Sequence, residues 1–113
     1  MAINIDASVQ PIGISLDVDR NNHAEFSYHP AVKRVYEGDA VQWSSPFPFT
    51  IMFKEGTPSD KMDVYGVRDD DGQYRSDVLQ IRPHARGHFP YAVAIQIDDR
   101  IFLDASCPEI IAN

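Results

Sequence analysis

What most constrains this chain is the stretch YAVAIQIDDRIFLDA, residues 91–105. Tyr91, Val93, Ile95 and Ile97 recur at every second position, so an extended backbone puts all four on one face, whereas a helix would scatter them around its circumference. Asp98-Asp99 interrupts the run, and Ile101 and Leu103 resume it. The pattern predicts a β-hairpin. The same grammar recurs upstream. GISLDVD (13–19) and AEFSYHP (24–30) flank RNNH, whose Asn21 and Asn22 tolerate the positive φ of a tight turn. AVKRVYEGDAVQW (31–43) breaks at Glu37-Gly38-Asp39 and then sets Val41 and Trp43 against Gln42. FTIMF (49–53) is almost continuously apolar, as expected of a strand in a sandwich core or one covered on both faces.

Residues 54–76, KEGTPSDKMDVYGVRDDDGQYRS, lack this order and read as a long loop, with room for one short helical turn from Ser59, since Ser and Asp cap helices well. Many short strands, frequent turns and no amphipathic helix predict an antiparallel β-sandwich. With 113 residues and no repeat or linker, residues 1–113 form a single domain able to bury a core, and the lone cysteine allows no internal disulfide.

Charge and termini narrow the partners. A net charge of −7 and a pI near 4.8 oppose non-specific contact with nucleic acid or anionic lipid, both of which need clustered Lys and Arg. No apolar stretch reaches membrane-spanning length. MAINIDASVQ carries no signal-peptide pattern, so with Met1 as the native start the expected location is the cytoplasm.

Candidate chemistry is sparse. His84 and His88 are four apart and would face one metal on a helix, but Pro83, Gly87 and Pro90 oppose a helix there and favour a solvated loop. With His29, or an Asp of the acidic stretch, as further donor, these histidines define the alternative function, a metal-binding protein or metalloenzyme. Asp17-Val-Asp-Arg-Asn-Asn22 has alternating oxygen donors like the start of a calcium loop, yet Asn22 replaces the glycine and Tyr28 the closing glutamate. Asp69-Asp70-Asp71-Gly72 reads as a solvated acidic turn. Cys107 sits beside Pro108 and Glu109, in a negative setting that does not activate a thiol. No nucleophile-elbow, Walker-type or dinucleotide-binding motif occurs, so acyl and phosphoryl transfer have no sequence support, no residue is assigned a catalytic role, and a non-enzymatic role is favoured over an enzyme.

Four stretches, in order, bring a family into view. VYEGDAVQW (35–43) resembles the cupredoxin pattern in which a Gly-Asp turn leads into a strand ending at Trp or Phe. FPFTIMF (47–53) is similar to the Phe-Pro-His-Asn-Ile-x-Phe segment of copper cupredoxins, and GHFPYAV (87–93) to the Gly-x-Tyr-x-Tyr-x-Cys strand that delivers their thiolate. CPEIIAN (107–113) resembles the Asp-Pro-Glu-Ile-Ile ending of small, uncharacterised bacterial cupredoxin-like proteins. The resemblance covers roughly residues 32–113 and implies a Greek-key β-sandwich of cupredoxin-like type. It also places the family's first copper histidine at Phe49, its cysteine at Val93 and its second histidine near Gln96. No histidine follows His88 and no methionine follows Met62. A blue-copper centre needs two imidazoles and a thiolate, so the expectation is a domain without copper or other cofactor, in which Phe49 and Val93 fill the site as core. Its expected role is a binding or interaction module that meets a protein partner, or a second copy of itself, through its sheet edges. The loops at 54–76 and 83–90, with Tyr65, Tyr74 and Phe89 at their borders, are the first surfaces to consider.

Overall fold

The computed structural model describes residues 9–105 and 108–113, and every regular element among them is a β-strand. One sheet runs β2 (Ala24–His29), β1 (Val9–Val18), β4 (Ala40–Ser45), β8 (Tyr74–Arg75), β7 (Val67–Arg68), with β9 (Leu79–Gln80) also paired to β4. The other runs β3 (Val32–Val35), β12 (Glu109–Ala112), β10 (Gly87–Ile97), β5 (Phe49–Phe53), β6 (Asp63–Tyr65), with β11 (Arg100–Asp104) paired to the far half of β10. Their inner faces share one core, giving a β-sandwich-like fold.

The expected hairpins form. At the β1–β2 turn Asn22 takes φ 63° and donates its N–H to the Asp19 carbonyl at 3.0 Å, while Asp98, at φ 56°, turns β10 into β11. Four expectations need correction. The sheets are mixed rather than purely antiparallel: β1 runs parallel to β4, and β3 to β12. After the first hairpin the chain crosses to the second sheet as β3 and returns to the first as β4, and such a crossover is what permits parallel neighbours. Residues 54–76 are not one loop, because β6, β7 and β8 lie within them. No helical turn starts at Ser59; its buried hydroxyl accepts the Lys61 N–H at 2.9 Å and closes a tight bend instead. Residues 83–90 are loop only through Arg86, since Gly87 to Pro90 open β10 and pair with β12.

The core follows from alternation. Ile12, Ile14 and Leu16 of β1, Val41 and Trp43 of β4, Phe49, Ile51 and Phe53 of β5, and Tyr91, Val93 and Ile95 of β10 all point inward and are buried. Trp43, Phe53 and Tyr91 meet edge-on at its centre, with centroids 5.4 to 6.2 Å apart, the arrangement that aromatic quadrupoles favour. The buried Ser76 joins β4 between β8 and β9: its Oγ accepts the Trp43 N–H and its own N–H donates to the Trp43 carbonyl, each at 3.0 Å.

The two open sides of the sandwich close differently. On one, the chain itself steps from β6 to β7 through Gly66. On the other, β2 and β11 are joined by side chains: the Tyr28 hydroxyl donates to Asp104 Oδ2 and Arg100 Nη1 to Asn22 Oδ1, both at 2.7 Å.

Candidate functional site

Phe49 and Val93 lie on adjacent strands, with Val93 opposite Ile51 and Phe49 opposite Ile95. The Phe49 ring sits directly against Gly66, where an added Cβ would fall 2.4 Å from a ring carbon, so only glycine admits the ring. Gly66 also donates its N–H to the Phe49 carbonyl at 2.9 Å, which fixes the step between the sheets over that ring. Val93 is fully buried, whereas Gln96 is exposed and its Nε2 donates to the Asp98 carbonyl at 3.3 Å. A phenyl ring and an isopropyl group offer no lone pair, and one exposed amide is a poor substitute for two imidazoles and a thiolate. These residues do not fit copper.

The histidines lie on separate parts of the chain. His84 is exposed in the loop before β10, His29 ends β2 in the opposite sheet, and His88 stands on the exposed side of β10 with Nδ1 3.0 Å from Glu109 Oε1. Among the described residues no three His, Cys, Asp or Glu side chains are grouped to hold a metal. The suspected calcium loop is a turn: Asp19 Oδ1 accepts the N–H groups of Asn21 and His23 at 2.8 and 2.9 Å. The acidic run closes the β7–β8 hairpin. Arg75 bonds Asp69 Oδ2 at 2.5 Å and Asp71 Oδ2 at 2.9 Å, and its hydrogen bond, with that from the Gln73 N–H, holds the Asp71 carboxyl below its usual range. Cys107 lies outside the described residues.

What the strands do assemble is a surface. Register places Thr50 and Met52 of β5, Ala92, Ala94 and Gln96 of β10, Tyr65 of β6, and Ile101 and Leu103 of β11 together on the outer face of the second sheet. Ile101 is 73% exposed, Tyr65 66% and Leu103 61%, so these side chains stand in solvent and contribute little to the core. Between Tyr65 and Ile101 the small residues Thr50 and Ala94 leave a shallow depression of about 310 Å³, reaching inward to Phe49 and Ile95. Asp63 stands on the same face, opposite Met52, and the Lys54 ammonium donates to the Ala105 carbonyl. The other end of the same face, toward β3 and β12, is polar, with Arg34, His88 and Glu109.

Sequence reasoning picked out Tyr65, named Gln96 only as a ligand position, and read Ile101 and Leu103 as resuming the alternation of β10, whereas register sets Leu103 opposite Ala94 and Ile101 opposite Gln96, on the outer face. The signal was present in the off-phase positions: Thr50, Met52, Ala92 and Ala94 carry no charge, whereas the matching positions of the first hairpin carry Asp17 and Glu25.

Behind this surface lie two buried polar atoms, Trp43 Nε1 and the Tyr91 hydroxyl, which face each other and make no well-formed hydrogen bond among the described residues. Burial pushes the Tyr91 hydroxyl up to about 12, and the indole N–H beside it offsets this only in part. Tyr91 is therefore neutral at physiological pH and enclosed by aromatic rings, a packing element rather than an acid or base. No model of a known protein family matches this chain, and no curated protein matches it either.

Proposed function

We propose that this chain is a Greek-key, cupredoxin-like β-sandwich that lacks a copper site and works as a binding module. Its binding surface is the largely uncharged part of the outer face formed by β11, the far half of β10, β5 and Tyr65 of β6. The four resembling stretches support the kinship by where they fall: the first leads into β4, and the others lie on β5, β10 and β12, which are neighbours in one sheet. Electron transfer by copper has no donors here, because Phe49, Val93 and Gln96 stand where the resemblance puts the ligands.

The observation that carries the binding role is the exposure of Ile101, Tyr65 and Leu103 around a depression, on a face the core does not need. Large apolar side chains exposed together on one face mark interaction sites more often than chance. Affinity capture with the wild-type chain and with an Ile101→Glu/Leu103→Glu variant tests this. The variant is expected to lose the bound material while melting like the wild type; identical capture by both sinks the reading. In parallel, the metal content of untagged protein after incubation with copper, zinc and calcium is expected to stay far below one ion per chain. Near-stoichiometric metal would redirect attention to His84, His88 and His29.

A further inference from the structure

We infer that the partner on this face is a second copy of the same chain, docked about a two-fold axis, an inference that rests on the binding role proposed above. Three features point to it. The first is relief. The face has a raised edge at Ile101 and Leu103, a trough floored by Thr50 and Ala94, and a second raised edge at Tyr65. A two-fold contact uses the same patch twice, so the patch must complement itself. Here the Ile101 and Leu103 ridge of one copy enters the trough of the other, and the reverse contact forms by symmetry.

Charge is the second feature. Two copies of a chain of net charge −7 repel, and most of their surfaces would bring carboxylates together. Asp63, which register sets opposite Met52 beside Tyr65, is the one carboxylate of β6 on this face; Thr50, Ala94, Ile101 and Leu103 carry no charge, and the Lys54 ammonium donates to the Ala105 carbonyl. This is therefore a face on which two such chains can close without burying like charges.

Area is the third. Four strands about 4.8 Å apart, contacting over about five residues that rise ~3.4 Å each, present roughly 300 Å² in projection. Counting the relief of the side chains, two such faces reach only the lower end of the roughly 1,200–2,000 Å² that specific interfaces bury. The dimer is accordingly of the weak, concentration-dependent kind.

Sedimentation velocity over a dilution series, at low and at high sodium chloride, tests this. The wild type is expected to shift from monomer to dimer with concentration, and the dimer to tighten as salt screens the repulsion between two acidic copies. Ala94→Arg, which fills the trough from a surface position, is expected to abolish the dimer with the melting temperature unchanged. Leu103→Glu provides a second variant should the arginine disturb folding. A chain that stays monomeric at all concentrations overturns the dimer, as does a dimer that survives both substitutions or weakens with salt. If the chain is monomeric but Ile101→Glu/Leu103→Glu still loses captured material, the binding role stands and only self-association fails. If the chain is monomeric and capture is unaffected, both fail.

Discussion

On the outer face of the first sheet, Ser15, Asp17, Glu25, Ser27 and His29 occupy the solvent-facing positions of β1 and β2; on the second, Thr50, Met52, Ala94, Ile101 and Leu103 do. Both sheets meet the same demand inward, where alternate residues of each build the shared core. Neither outer face is required for that packing. The first even sets Asp17 directly opposite Glu25, a like-charge pair that costs stability and is tolerated at two exposed positions. The contrast shows that the inner faces report on folding, while the outer faces are free to report on something else. The largely uncharged, ridged part of the outer face on β5, β10 and β11, in a strongly acidic protein, is thus the most informative feature of the molecule.

The largest expected effect tests whether inside and outside differ as stated. Phe49→Ala removes a buried ring and is expected to cost about 3–5 kcal/mol in urea denaturation. Leu103→Ala, on the outer face of the same sheet, is expected to change stability by less than about 0.5 kcal/mol. Gly66→Ala sharpens the comparison. In the wild type its methyl group collides with the Phe49 ring and should cost roughly 1–3 kcal/mol. In a Phe49→Ala background the collision is gone, so the same substitution should cost far less. Equal costs in both backgrounds would mean that the ring and the glycine are not coupled.

The next effect probes the centre of the core by pH. The Tyr91 hydroxyl titrates at about 12 in the folded chain, against about 10 in an unfolded one. Between those values the unfolded chain has released a proton that the folded chain retains. The stabilising contribution is therefore complete below about pH 10 and is lost as pH rises through about 12, by roughly 2–3 kcal/mol. Tyr91→Phe should remove this alkaline sensitivity. At neutral pH the same substitution should be close to neutral, because the hydroxyl it deletes makes no well-formed hydrogen bond among the described residues. A destabilisation above about 1 kcal/mol at pH 7 would show that the hydroxyl is satisfied after all.

Both hairpins were legible in the sequence because alternation and turn chemistry are local: Asn22 and Asp98 take the positive φ that their turns require. The aromatic cluster was legible in part, since Trp43 and Tyr91 each sit in phase with their strands. The parallel pairings were not, because whether β4 returns beside β1 is decided by the crossing of β3 to the other sheet, a non-local event. Short strands in polar sequence were also hidden. β7 and β8 are two residues each, and the Asp69 and Asp71 bonds to Arg75 hold their hairpin more visibly than any periodicity. The outer face escaped for a different reason. Thr50, Ala94, Ile101 and Leu103 come from three strands, and only the register of β5, β10 and β11 brings them side by side.

The smallest expected effect is also the sharpest test of the contrast between the two outer faces. Ser15 and Ser27 are paired across β1 and β2 as Ala94 and Leu103 are across β10 and β11. Ser15→Leu/Ser27→Leu should therefore transplant part of the apolar character, and Ile101→Thr/Leu103→Thr should remove it, each changing stability by less than about 1 kcal/mol. β-Branched threonine keeps the strand preference, so any loss would come from packing rather than from propensity. Were the threonine pair to cost about 2 kcal/mol or more, Ile101 and Leu103 would be structural and the face would lose its claim as a binding surface. With stability unchanged in both variants, only the threonine pair should lose the concentration-dependent dimer, because the serine-to-leucine pair supplies hydrophobicity without the trough that receives it.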